Sequence, residues 1–237
     1  MPPPTRRVFS KSPTPALSFD EVLGFHGTVL KAHRTGQVLK VEAKDNPFGI
    51  PIIVKVYHYP TWRDRMRGIL RNTIAAPSRV RREADNLHRL ARLGVNDDLW
   101  LAAGESRSLG FLASSFLITR FIDAPSAGQF LEGTTDSLRR LQFCELLGRF
   151  VARLHREGFV DRDLHLRNLL FDEPRKVLIK IDSPRGAFVP SAFLQLARRR
   201  DLRDLDRDLQ KSARSDERDF VWHHYRTSFL KDHQGLF

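Results

Sequence analysis

The chain has little with which to staple itself or to cross a membrane. One cysteine, Cys144, stands among 237 residues, so no disulfide framework is available and nothing indicates an oxidising compartment. A reducing cytosol is the compartment this suggests. The most apolar stretch, Leu109 to Ile118, is interrupted by Ser114 and Ser115 and followed by Arg120, far short of the about 20 residues that span a bilayer. Met1 to Ala16 lacks the continuous apolar segment of a signal peptide and is rich in Pro and Ser, which reads as a flexible tail. Acidic residues are outnumbered too: 28 Asp and Glu against 40 Lys and Arg give a formal charge of +12. Such a surface concentrates phosphates, anionic lipids or nucleic acid, although a charge excess alone names no partner.

What is present is enough for a globular protein: 41% of the residues are hydrophobic and 10% aromatic, sufficient for one large domain or two small lobes. Thr28 to His33, Gln37 to Glu42 and Pro51 to Tyr57 read as a three-stranded antiparallel meander, with turns at Arg34-Thr35-Gly36 and Asp45 to Gly49. A basic stretch runs from Pro60 through Asn72. Ser78 is placed to cap a helix with Val80, Ala84, Leu87 and Ala91 on one face, ended by Gly94. Leu109 to Ile122 suits one or two strands and a connector.

Ser137 to Glu157 is predicted as a long helix, because Leu147, Phe150, Val151 and Leu154 fall at helical spacing and Gly158 is placed to stop it. Lys176 to Asp182 alternates as a strand with Val177, Ile179 and Ile181 on one side and Lys180 opposite. Two helices follow, near Leu194 to Leu209 and Asp216 to Lys231. This order predicts an α+β protein: a tail over 1–16, a small sheet lobe over 17–122 and a mostly helical lobe over 123–237.

The segment with most chemistry is Asp161-Arg162-Asp163-Leu164-His165-Leu166-Arg167-Asn168, an Asp followed five residues later by an Asn. Phosphoryl transfer needs a carboxylate to take the proton of the attacking hydroxyl and an amide oxygen nearby for a metal ion, both from one tight loop. Asp163 and Asn168 meet that need, and Asp182, 19 residues after Asp163, follows the next strand where a second metal ligand belongs. Upstream, Lys55 in Ile52 to Tyr57 resembles a phosphate-gripping lysine, with Lys40 as competitor and Glu83 as the carboxylate to brace it. The phosphate-covering loop stays open between Gly24 to Val29 and the Arg34 to Gly36 turn. His165 lies in the loop, where orienting an acceptor and simple packing are both open; His223-His224 is not read as a metal site, since adjacent helix residues point apart.

With these residues in view, the chain resembles the lipopolysaccharide core kinases, the Kdo/WaaP group of protein-kinase-like sugar kinases, over about residues 50 to 230. The resemblance is carried by Ile53-Val54-Lys55-Val56, the basic Arg65 to Asn72, Arg82-Glu83-Ala84 leading into Leu90 to Val95, and Phe116 to Thr119. It continues through the catalytic loop, Ile181-Asp182 with Arg185-Gly186, and Arg198 to Leu202. It implies a two-lobed protein-kinase-like fold, with Asp163 as catalytic base, Asn168 and Asp182 holding Mg²⁺, Lys55 on ATP and Glu83 bracing it. The implied acceptor is a sugar hydroxyl of the lipopolysaccharide inner core, an anionic glycolipid, reached from the cytoplasm by peripheral contact with the inner membrane.

Three departures stand out: Asp161 replaces a loop-bracing His, Ser183-Pro184 follows Asp182 in place of an aromatic switch, and Asp45 to Ile50 resembles an insertion. A catalytically silent ATP-binding module, or a kinase for another small molecule or protein, is the alternative these raise. Nucleic-acid binding ranks last, because the aromatics do not alternate with Arg as a stacking surface requires.

Overall fold

The computed structural model describes residues 4–11, 17–59, 61 and 77–230. The basic stretch from Pro60 to Asn72, with the Arg65 to Asn72 part of the resemblance, lies outside these residues but for residue 61. Two compact units divide the chain: Met1–His88 with Asp98–Phe121, and Arg89–Asp97 with Ile122–Phe237. The loop after Gly94 belongs with the helical unit.

The first unit is built on a six-stranded antiparallel sheet in the order β1-β5-β6-β4-β3-β2. Its strands are β1 (Thr5–Ser10), β2 (Thr28–His33), β3 (Gly36–Val41), β4 (Ile52–His58), β5 (Trp100–Ser108) and β6 (Phe111–Arg120). The expected meander is present as β2 to β4, inside a sheet twice that width. Two differences from expectation stand out. Residues 5–10, read as part of a tail, form β1 and pair with β5 from Thr5↔Arg107 to Ser10↔Ala102. Leu109 does not begin a strand; with Gly110 it makes the tight turn between β5 and β6, both residues having positive φ (51° and 82°), as a two-residue hairpin of this handedness requires.

Alternation along β4 sends Ile52, Val54 and Val56 to a core shared with Leu39, Val41, Phe116, Ile118 and the short helix α1 (Phe19–Leu23). Lys55 points to the opposite face, where Ala103 and Leu117 meet Val80 and Ala84 of α2 (Arg79–Arg92). Ser78 starts α2 as expected, its Oγ accepting the Arg81 amide at 3.2 Å. Gly36 opens β3 where a Cβ would stand 2.7 Å from the Val56 carbonyl, so only glycine lets the two strands close there.

The second unit gathers around α4 (Ser137–Arg156). Asp136 caps it, accepting from Leu138 and Arg139, and Gly158 leaves it at φ +75°. Phe143, Leu147, Val151 and Leu154 of α4 pack with Phe130 of α3 (Ala127–Gly133), with Leu169, Phe171 and Leu178 of the β8–β9 hairpin (Leu169–Asp172, Val177–Lys180), and with Leu205 and Leu209 of α5 (Ser191–Ser212). Val221, Tyr225 and Phe229 of α6 (Ser215–Leu230) complete this core. The short strands β7 (Phe159–Val160) and β10 (Ala187–Phe188) pair beside it. Burial at Cys144 pushes its thiol up to about 12, so it behaves as a small apolar side chain. No helix among the described residues is long and apolar enough to cross a membrane.

Helix α4 meets α6 at Gly148, where a Cβ would lie 2.4 Å from the Val221 carbonyl and 3.0 Å from the Tyr225 amide nitrogen. Gly148→Val therefore forces the helices apart, and thermal unfolding should show a loss of about 1–3 kcal/mol or more. Near the same interface the buried Arg140 guanidinium forms a two-pronged pair with Glu217 at 2.6 and 2.7 Å. That contact holds the Glu217 carboxyl below its usual range and raises Arg140.

Candidate active site

In the first unit, Lys55 Nζ lies 2.6 Å from Glu83 Oε1, and Glu83 is fully buried. Register produces this contact: Lys55 is on the β4 face covered by α2, and Glu83 is one turn into α2, between Val80 and Ala84. A carboxylate without access to water has strong reason to keep an ammonium partner. The competing Lys40 is occupied elsewhere, 3.0 Å from Glu42 and over the Phe121 ring. Of the two glycine segments, Arg34-Thr35 is the β2–β3 turn preceding the lysine strand, whereas Gly24 caps α1 and leads into β2.

In the second unit the loop from Asp161 to Asn168 runs between β7 and β8, pinned by the buried Leu164 and Leu166. Asn168 Nδ2 donates to the Asp163 carbonyl at 3.0 Å. With its amine side used within the loop, Asn168 presents Oδ1 as an acceptor. The hairpin sets Leu169 opposite Lys180, and the Ile181 amide donates to the Asn168 carbonyl at 3.0 Å. Asp182 therefore leaves β9 beside Asn168, although 14 residues separate them in sequence. Asn168 and Asp182 offer hard oxygen donors, the kind Mg²⁺ takes in small number while phosphates and water fill its other positions.

Two residues here, Arg162 and Asp182, have left-handed backbone (φ +60° and +59°), a conformation costing a non-glycine residue about 1–2 kcal/mol. A buried charge holds each one. Asp201 of α5, 1% exposed, accepts the amides of Asp161 and Arg162 at 2.7 and 2.6 Å. It is backed by His155, whose other ring nitrogen meets the Tyr225 hydroxyl at 3.0 Å. Lys180, with no exposed surface, donates to the carbonyls of Ile181 and Asp182.

Lys180 alternates to the side opposite Ile179, as the strand pattern predicts, and that side is covered as well. Its ammonium is enclosed 3.2 Å from Asp161, the residue that stands where the resemblance leads one to expect a bracing His. The Nζ donors are directed at the two carbonyls, so Asp161 is held mainly by charge. Burial pushes the Asp161 carboxyl up to about 6, with the Lys180 ammonium pulling it down and Asp201 and Asp163 adding to the rise. Asn96 locks the strand in place, its Oδ1 taking the Lys180 amide at 2.7 Å and its Nδ2 giving to the Lys180 carbonyl at 3.0 Å.

Asp163, partly open to solvent, has His165 Nε2 at 3.5 Å and Arg185 Nη1 at 4.0 Å from its Oδ1. His165 turns its Nδ1 to Asp208 of α5 at 3.0 Å, and the same Asp208 oxygen accepts the Leu166 amide at 3.1 Å. Lys180, Asp201 and Asp208 were not read as site residues. Asp201 follows three arginines in the stretch from Arg198 to Leu202, and Asp208 sits in a run of alternating charge that resembles any solvated helix surface. Such a loop can offer a carboxylate as proton acceptor beside oxygen ligands for a cation.

A family model described as the lipopolysaccharide kinase (Kdo/WaaP) family matches residues 47–224. Among solved structures, one described as WaaP in complex with acyl carrier protein matches with a TM-score of 0.66 at 18% identity, covering 97% of this chain and 94% of that one. At that identity the likeness shows the protein-kinase-like fold. No sequence of a curated protein matches the chain.

Proposed function

Given that the chain belongs to the lipopolysaccharide kinase (Kdo/WaaP) family, we propose that it transfers the γ-phosphoryl group of ATP to a sugar hydroxyl of the lipopolysaccharide inner core. The observation that carries the reading is the loop geometry: Asp163 and Asn168 tied together at 3.0 Å, with Asp182 brought alongside by the Ile181 to Asn168 bond. Asp163 takes the proton of the acceptor hydroxyl as its oxygen bonds to the γ-phosphorus and the bond to the β-phosphate oxygen breaks, releasing ADP. Lys55, braced by Glu83, holds the α- and β-phosphates. Asn168 Oδ1 and the Asp182 carboxylate would hold Mg²⁺, which would neutralise charge on the phosphates. The β2–β3 turn at Arg34-Thr35 is the segment we assign to covering them.

The purified protein, given MgATP and core oligosaccharides, should add one phosphate to a sugar, read by mass. MgATP binding without transfer to any sugar, lipid or protein acceptor would assign a silent module instead. Lys55→Met should lower kcat/KM by about 10²-fold with thermal stability retained, and Glu83→Gln should lower it less; wild-type values in both would remove them from the ATP site. We place the enzyme in the cytoplasm, working at the inner membrane face. An acyl carrier protein, the partner in the solved WaaP complex, is carried over as a candidate partner.

A further inference from the structure

Helix α5 has two different long faces. Asp201, Leu205 and Leu209 are buried on one, and Asp201 and Asp208 hold the catalytic loop from that side. On the other, Phe193, Leu196, Arg200, Arg203 and Arg207 follow one another at spacings of three and four, with Arg199 beside them, all exposed. At 100° per residue these six side chains fall within roughly 120° of arc and run along about 21 Å of helix. Phe193 and Leu196 are 65% and 69% exposed and one turn apart, so they form a single apolar patch at the start of the stripe.

The charge along it is only partly neutralised. Arg200 and Arg207 share Asp204 at 3.6 and 3.4 Å. Among the described residues, no carboxylate lies within ion-pair distance of Arg199 or Arg203. An apolar end followed by a straight cationic stripe is the pattern of a helix lying in a lipid interface, where bulky side chains enter the acyl boundary and arginines reach headgroup phosphates. Each basic residue near an anionic surface adds to such binding.

We propose that this face of α5 lies on an anionic bilayer and that, because the same helix holds Asp161, Arg162 and Leu166, it fixes the catalytic loop at the membrane surface. The occupant is a lipid headgroup layer: the stripe is straight, one-sided and of one sign, and needs no shaped partner. The inference rests on the glycolipid-kinase reading for its purpose, but its binding step is independent of phosphoryl transfer.

The full chain, without nucleotide, is sedimented with vesicles of equal parts phosphatidylglycerol and phosphatidylcholine, and with phosphatidylcholine alone. Binding to the anionic vesicles is expected, weakening as salt is raised. Phe193→Ser/Leu196→Ser and Arg199→Gln/Arg203→Gln should each weaken it about tenfold or more, with unfolding temperature and activity on a soluble acceptor unchanged. Asp163→Ala should bind vesicles as wild type does, so failure of the kinase reading would leave this result intact. Equal binding to neutral vesicles, no binding, or wild-type binding by both double variants would overturn the proposal. So would capture of an acyl carrier protein through the same side chains without vesicle binding, which would assign the face to a protein partner.

Discussion

Asp163→Ala should lower turnover by about 10²–10⁴-fold, the contribution expected of a positioned general base, while the fold and MgATP affinity should stay near wild type. The expectation divides in this way because the loop does not depend on the Asp163 side chain. Asn168 holds the Asp163 carbonyl, Leu164 and Leu166 anchor the chain in the core, and Asp201 and Asp208 take the amides on either side. Among the described residues the carboxylate itself meets His165 and Arg185, both at 3.5 Å or beyond. Single-turnover phosphate transfer, with nucleotide binding and thermal unfolding measured alongside, checks this. A variant keeping more than a tenth of the activity would remove Asp163 from the proton-accepting role; one that unfolds early would show that the side chain is structural.

The second large effect falls on stability. Lys180→Met leaves the Asp161 carboxylate buried without its compensating charge, a change that typically costs about 3–5 kcal/mol. The cost should depend on pH in a defined direction. The folded-state value for Asp161, about 6, lies above the ordinary 3.8, so the folded protein holds this proton more tightly than the unfolded chain. Stability from this group is complete near pH 4 and below, and is lost as pH rises through about 6.

Removing the ammonium takes away the influence that opposes the rise, so the Lys180→Met deficit should be larger at pH 8 than at pH 5, where the cost that remains is the loss of the donors to the Ile181 and Asp182 carbonyls. Asp161→Asn/Lys180→Met removes both charges and should recover much of the loss, with little pH dependence. Urea unfolding at the two pH values measures all three proteins; a deficit of equal size at pH 5 and 8 would show that Asp161 is not what Lys180 compensates.

Lys180 also marks a limit of reading the sequence alone. Alternation along Val177 to Asp182 correctly indicated a strand, but a lysine between apolar neighbours is usually solvent-facing, and period two cannot signal that both faces are covered. That Asp163, Asn168 and Asp182 come together was legible because one loop and one hairpin place them, so their geometry is local. Helix α4 was legible for a similar reason, with the apolar spacing and Gly158 inside one segment. Strand β1 was not: only Val8 and Phe9 are partly covered, and its partner β5 lies about 90 residues downstream. Asp201 and Asp208 act on a loop some 40 residues earlier, a distance over which spacing carries no signal.

The single shielded thiol has a practical consequence. Because Cys144 is buried and its thiolate form disfavoured, a maleimide dye will react with a new surface cysteine well before it reaches the native one. Phe193→Cys or Leu109→Cys can thus be labelled in an otherwise unaltered chain, giving a reporter on the arginine-striped helix or, for contrast, on the β5–β6 hairpin tip, without first removing the cysteine that helps fill the core.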